Sequence, residues 1–493
     1  MKSDLLRQIT LYRYRYIISY AFVVLLTIGL SIWQINTIPD GLTSGERATI
    51  VHSATLHLDT HTSPINLPFY ALEKLSLHFF GLTTFGIKLP ALLLGMSSGL
   101  MLLVLLLRLF RRNVAIITAL FAVTASQFLI ATRTADVGIM LLFWPITIML
   151  LMTLISQKAA QARLLGFLLA IAIGLSLYTP FMAYLIVAAL FAALIHPHLR
   201  FVAKAQGRPF WLALQLLVFL VVIAPLIWSL AHTPGKIADL LGIIPRSYDF
   251  GVYWKNLFYA LKQYADFTHP TIDTVIKPVF NIGALILILL GFLRVVIDHF
   301  SARSHMLLVW LVFLVIVTSI KPQTLILLFV PSIMLLGIGT QALIREWYKL
   351  FPRNPYARVA GLLPLGTFII MALTFNYTSY FFGMAYSPQA TSSYSNDLKL
   401  LRQSVVSAPN RHVMVIATPT EQPFFDLLRR ENPYLQVSST NQVVTPTIGE
   451  GVFVSSDAMS ALPTTLASHL VPTTVIANSH AEASQRFVGY QAE

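Results

Sequence analysis

Cysteine is absent from the 493-residue chain, so disulfides and thiolate-ligated metals are excluded. Charge is scarce. Asp, Glu, Lys and Arg make up 11% of the residues, against roughly 25% in a soluble domain. Acid is scarcer than base, with 20 Asp and Glu against 34 Lys and Arg and a net charge of +14. A charge deficit of this size excludes an ordinary soluble globular enzyme. The basic balance admits nucleic acid or an anionic membrane as partner. The cations stand at the ends of apolar runs rather than along one polar face, so they read as topology signals, and no nucleic-acid partner is expected.

What the chain has in abundance is apolar length. Hydrophobic residues make up 56%, gathered into runs near the ~20 residues that a helix needs to cross a bilayer. About eleven spans are expected, at Tyr16–Trp33, Ile87–Phe110, Val114–Ala131, Val137–Ile155, Leu164–Tyr178, Phe181–Ile195, Trp211–Leu230, Val279–Val296, Met306–Ile320, Thr324–Ile344 and Val359–Phe375. The fifth and sixth meet at Thr179-Pro180, as a tight hairpin or as one broken helix. The first run leaves through Trp33-Gln34-Ile35-Asn36, which suits signal cleavage poorly, so an uncleaved span is expected. The short connections with Arg108, Arg111 and Arg112, with Arg200, Lys204 and Arg208, and with Arg345, Lys349, Arg353 and Arg358 are dense in cations. The other connections are sparser, which sets the N-terminus inside and the C-terminus outside.

Two outer loops are long, residues 34–86 and 231–278. In the first, Leu67–Phe80 carries an apolar stripe (Pro68, Leu72, Leu75, Phe79), which fits a helix lying on the membrane or one packed on other loops. The second is rich in aromatics, among them Tyr248, Tyr253, Trp254 and Phe267, which favour the interface. Residues 1–380 form the expected membrane domain, and 381–493, richer in Ser, Thr and Pro, an expected small α/β domain outside it. Strands are expected at His412–Ala417, Val452–Ser455 and Thr473–Ala477, and a short helix at Pro423–Arg430.

Three constellations can carry chemistry. Asp40 and Glu46 follow the first span and flank a Gly/Ser turn; either is a candidate general base, or both belong to a solvated loop and a helix N-terminus. Arg133 and Asp136 sit in a very short outer connection, as functional groups or as an ion pair capping two helices. Lys236, Arg246, Lys255, Lys262, His269 and Lys277, with Lys321 nearby, can hold a lipid phosphate or stand as solvated charges. His52, His57 and His61 have poor ligand spacing, and no metal site is expected.

The order of these parts resembles family-39 glycosyltransferases, the group of protein O-mannosyltransferases and the lipid A aminoarabinose transferase. Pro39-Asp40-Gly41-Leu42 leading to Gly45-Glu46 is similar to the motif after the family's first span. Pro68-Phe69-Tyr70, Phe80-Gly81-Leu82 leading to Lys88-Leu89-Pro90, and Thr132-Arg133-Thr134-Ala135-Asp136 follow in the family's order. The resemblance runs from about Tyr16 to Arg200. It implies a glycosyltransferase-C fold in an all-α polytopic plasma (inner) membrane protein. It also implies transfer of a hexosyl or pentosyl group from a polyprenyl-phosphate donor to a glycan, lipid or protein acceptor at the outer face. On this reading Glu46 or Asp40 is the base, Arg133, Arg246 and Lys277 hold the donor phosphate, Asp136 supports the site, and membrane lipid surrounds it. No cofactor is implied for certain, and a divalent cation stays open. The family usually carries Asp-Glu where this chain has Gly45-Glu46, and the first acid of that pair is the one usually taken as base. A non-catalytic lipid-binding homologue and a transporter are the alternatives; the chain lacks the repeated halves and mid-span charges of a transporter.

Overall fold

The structure, a computed structural model, describes residues 14–56, 64–157, 161–206, 209–242, 250–267, 278–351, 355–387, 393–399, 401–402, 412–441, 451–455, 457–458, 461–462, 470–476 and 487–492. Helix α1 (Arg15–Ile32) leads into α2 (Ser44–Ala54) and α3 (Leu67–Phe80), then α4 (Thr84–Leu109). Next come α5 (Arg112–Thr124), α6 (Ser126–Arg133), α7 (Met140–Gln157), α8 (Ala162–Ser176) and α9 (Met182–Ile195). They are followed by α10 (Pro197–Gln206), α11 (Pro209–His232), α12 (Gly235–Leu241), α13 (Phe250–Ala265), α14 (Ile282–Ile297), α15 (Ala302–Ile320), α16 (Phe329–Leu350) and α17 (Pro355–Tyr386). Strand β1 (Val413–Ala417), helix α18 (Gln422–Glu431), and strands β2 (Leu435–Ser439), β3 (Gly451–Val454), β4 (Leu470–Ile476) and β5 (Phe487–Ala492) complete the chain.

Among the described residues, seven helices are long and apolar enough to cross a bilayer, and the bent α5–α6 pair makes an eighth segment. The shorter apolar helices α8, α9 and α14 take the other expected positions. The chain is thus an all-α polytopic membrane protein with a small sheet near its end. Two spans, the third and the last, depart from expectation, and the fifth and sixth take one of their two expected forms. The third is broken, with a 56° bend at Ala125; Asn376 of α17 donates to Thr124 Oγ1 beside the break (3.1 Å), which supplies a polar partner where the ladder stops. The fifth and sixth are separate helices whose joint is held by Trp144 Nε1 donating to Thr179 Oγ1 (3.1 Å). The last runs on to Tyr386 rather than ending near Phe375.

Helix α3 falls where its stripe predicts. Its apolar face (Leu72, Leu75, Phe79) is turned outward, with Phe79 70% exposed, whereas Glu73 and Ser76 are buried. That inversion suits a helix resting on lipid rather than one packed under other loops. Deeper in the bundle, α14 and α16 approach closely. A Cβ on Gly291 would lie 1.9 Å from the Leu335 carbonyl oxygen, and one on Gly339 1.9 Å from that of Leu287, so small residues set this helix contact.

The sheet has the order β2-β1-β3-β5-β4. β1 pairs in parallel with β2 and β3, whereas β5 runs antiparallel to β3 and β4. Strands β2 and β5 were not foreseen from the sequence. Every side chain of β1 is buried, as expected for a central strand covered on both faces. One face shares a core with the first outer loop: Leu42, Ile50, Leu82 and Ile87 pack with Val413, Val415, Phe424 and Phe425. A two-way backbone bridge joins Leu42 and Ser395 (2.9 and 2.8 Å). It passes over Gly41, where φ is +98° and a Cβ would meet the Ser395 oxygen at 2.3 Å.

Candidate active site

Thr43 starts α2 with a reciprocal cap. Its hydroxyl accepts from Glu46 N (3.1 Å), and its own N–H donates to Glu46 Oε2 (2.7 Å). The other carboxylate oxygen accepts from Ala135 N (2.7 Å) in the link after α6. Glu46 is therefore fully buried with both oxygens engaged. Burial raises its pKa, and the charge of Lys88 and the three backbone and side-chain hydrogen bonds oppose that rise. Lys88, also buried, donates to Pro39 O (3.1 Å). Glu46 thus ties the first outer loop to residues 134–136.

The other expected site residues disperse. Asp40 accepts from Lys399 (3.1 Å) and from Asn396 (3.1 Å), at the segment that follows the last span. Arg133 spends its guanidinium on the backbone: Nη1 donates to Leu30 O (2.6 Å) and Ser31 O (3.3 Å), and Nη2 to Ile38 O (2.5 Å). It lies 5.4 and 5.2 Å from the rings of Tyr380 and Phe381 and is fully buried. It makes no ion pair with Asp136; its two Nη groups are taken by two carbonyls from the end of the first span and one from the loop that follows it. Arg246 and Lys277 lie outside the described residues, as do His57 and His61; His52 stacks against Tyr70 at 5.8 Å.

Of the acids expected at the site, Asp136 lines a cavity among the described residues. This space of about 390 Å³ is lined by Asn66, Gln127, Thr134, Asp136, Thr179 and Lys321, with apolar walls from Ile130, Leu141, Phe181 and Leu325. Among the described residues, Gln127 Oε1 and Nε2 are buried on its wall with no hydrogen-bond partner, while Asn66 and Thr134 on the same wall have the hydroxyls of Tyr70 and Tyr394 as their neighbours. Buried polar groups are normally satisfied, so this wall is built for a polar ligand or water. Asp136 is reached from the cavity yet ringed by protein. That loss of water raises its pKa, against the N–H groups of Val137 and Gly138 that lower it.

Sequence reasoning singled out neither Glu73 nor Tyr394 as a site residue. Glu73 is buried, takes a short hydrogen bond from Ser53, and is pushed up to about 8 by burial, with the charges of Glu46 and Asp136 adding. Tyr394 arrives from beyond the last span, and burial beside Glu46, Tyr380 and Asp136 raises its pKa. Glu73 had one legible signal: on α3 it stands four residues from Phe69 and three from Ser76, on the face opposite the lipid stripe. Tyr394 had none, since only folding over several hundred residues brings it here. The arrangement supplies a proton-accepting carboxyl in a partly dry cavity, a lysine at the same wall, and polar atoms that can orient a bound group.

A profile of the dolichyl-phosphate-mannose-protein mannosyltransferase family matches residues 66–228, from the start of α3 into α11. No curated protein matches the chain by sequence. Solved structures match in fold. ArnT from Cupriavidus metallidurans, bound to undecaprenyl phosphate, is 14% identical with TM-score 0.57, covering 96% of this chain and 98% of its own. The archaeal oligosaccharyltransferase AglB from Archaeoglobus fulgidus, in complex with an inhibitory peptide and a dolichol-phosphate, is 12% identical with TM-score 0.53, covering 97% and 74%. The chain shares the glycosyltransferase-C fold of these enzymes.

Proposed function

We propose, from this fold and the cavity it encloses, that the protein transfers a hexosyl or pentosyl group from a polyprenyl-phosphate donor to a hydroxyl or amine of a glycan, lipid or protein acceptor. The observation that carries the reading is the convergence of Asp136, Lys321 and the unpartnered Gln127 amide on one cavity. Asp136 takes the base role in place of Glu46 or Asp40. It accepts the acceptor's proton as the acceptor atom bonds to the anomeric carbon. The bond from that carbon to the phosphate oxygen breaks, and its electron pair leaves with the phosphate. Positive charge builds on the sugar as in glycoside chemistry, and Lys321 meets the charge on the leaving phosphate. Glu46 holds the Ala135 N–H and so positions Asp136. The cavity end faces outward and the N-terminus lies in the cytoplasm. Arg108, Arg111, Arg112, Arg345 and Lys349 gather at the opposite helix ends, in keeping with a cytoplasmic excess of cations.

The test is transfer from a panel of labelled polyprenyl-phosphate sugars in membranes carrying wild type, Asp136→Asn, Lys321→Gln and Glu46→Gln. One donor is consumed by wild type, and Asp136→Asn lowers the rate by about 10²–10⁴-fold while the lipid still binds. Lys321→Gln raises the donor KM. An Asp136→Asn enzyme at the wild-type rate removes the base from this position. Gly45, standing where the resemblance places an acid, favours a second reading, a lipid-binding homologue without transfer. Donor binding without turnover in wild type selects it.

A further inference from the structure

A second polar cavity lies at the other end of the same helix. Helix α16 begins beside Leu325 and Ile326, which line the first cavity. Its last turns line another of about 570 Å³, walled by Arg111, Val114, Gln341, Ile344, Arg345, Tyr348 and Lys349. Along α16 itself, from Phe329 to Ile344, a rise of 1.5 Å per residue gives about 22 Å, and the 3₁₀ turn of Pro322–Leu328 before it extends the separation toward the ~30 Å of a hydrocarbon layer. The two cavities therefore stand at the levels of opposite leaflets.

The far cavity is cationic. Arg111, Arg345 and Lys349 come from chain segments more than two hundred residues apart and share one wall. Glu346 pairs with Lys349 (2.8 Å) and Arg294 (3.8 Å) and so offsets Lys349, which leaves Arg111 and Arg345 as the cations that charge the space. Arg111 is also the N-cap of α5, a 13-residue helix with no side-chain cap and no acid in its first turn, so the unbonded N–H groups add positive potential there. Next along α16, Leu343 and Leu350 are exposed, Leu350 by 70%, and Tyr348 is 40% exposed at the same level, as suits contact with lipid chains below a headgroup.

We propose that this cavity binds the headgroup phosphate of an anionic phospholipid in the leaflet opposite the donor cavity. Arg111 and Arg345 pair with the phosphate, Gln341 offers hydrogen bonds, and the acyl chains run along the exposed leucines. Basic pockets between spanning helices suit anionic headgroups, each surface cation strengthening binding by about fivefold. A phospholipid rather than a free anion is the occupant because the cations adjoin exposed apolar surface.

The experiment counts lipids retained by the full-length protein in neutral detergent, by native mass spectrometry, during titration with phosphatidylglycerol or phosphatidylcholine. Wild type retains phosphatidylglycerol at least tenfold more tightly. Arg111→Gln and Arg345→Gln each weaken it about fivefold, and the double variant binds both lipids alike, whereas Arg200→Gln changes nothing. Equal retention of the two lipids by wild type overturns the proposal, as does a double variant that keeps the preference. Inorganic phosphate at millimolar concentration leaves the lipid bound; if it displaces the lipid, the site takes a free anion and the proposal fails. Should the variants not fold, wild type still decides: the preference shrinks at high salt if these cations make it, and a salt-independent preference overturns it.

Discussion

Replacing Arg47 by methionine tests how the C-terminal sheet holds the site. Arg47 follows Glu46 on α2 but faces the other way. Its Nη1 pairs with Glu421 Oε1, and its Nη2 with Asp457 Oδ2 at 3.0 Å. The Arg47 and Glu421 side chains are 9% and 5% exposed. Glu421 stands just past β1, where its second oxygen accepts from Ser455 Oγ (2.6 Å) and Thr418 Oγ1 (2.9 Å). Removing one partner of a buried, hydrogen-bonded pair leaves an uncompensated charge and costs about 3–5 kcal/mol. At about 1.4 kcal/mol per tenfold, the Arg47→Met variant opens α2 roughly one hundred to several thousand times more often. Hydrogen exchange of the α2 amides, measured around Ile50 and Val51 in the folded protein, rises by that factor. Exchange in α16, which is packed elsewhere, stays as in wild type. Arg47→Lys keeps the charge but loses the fork that reaches two carboxylates, and falls between. Arg47→Met combined with Glu421→Leu removes both charges and recovers most of the protection. Wild-type exchange in Arg47→Met, or a double variant no better than the single one, refutes the argument.

Glu73 makes stability depend on pH. Its folded pKa of about 8 stands above the ordinary glutamate value of 4.5, so between those two values the folded state keeps a proton that the unfolded chain has lost. Its contribution is full below pH 4.5 and falls by up to about 1.4 kcal/mol per pH unit as pH rises toward 8; melting curves at pH 5, 7 and 9 fall less steeply for Glu73→Gln, and parallel curves for the two proteins contradict this. Gly45→Asp has room, since a Cβ there meets only Thr43 Oγ1 at 3.8 Å. An acid in the first turn of α2 raises stability by about 0.5–1 kcal/mol, read as a higher melting temperature, and a rise in transfer rate as well locates a second proton acceptor. Gly339→Val drives a side chain into the Leu287 carbonyl and sharply reduces folded protein recovered from membranes. Gly366→Val, where nothing lies within 4 Å, leaves the yield unchanged.

The sequence by itself determined the membrane fold. Apolar runs of bilayer length, ended by cations, have one stable solution in lipid, because a spanning segment must satisfy its own backbone hydrogen bonds. The stripe on Leu67–Phe80, the spans and the strand at Val413–Ala417 follow from such local rules. The functions of single charged residues were not local. Arg133 reads as a phosphate ligand until carbonyls from the end of the first span and the loop after it claim its Nη groups. Glu46 reads as a free base until Ala135 and its own cap take both oxygens. Asp136, Lys321, Asn66 and Gln127 share a cavity only because four separate segments meet there. Which charge is spent on structure and which is left for chemistry depends on what lies within about 3 Å of it, and only the tertiary structure brings those neighbours together.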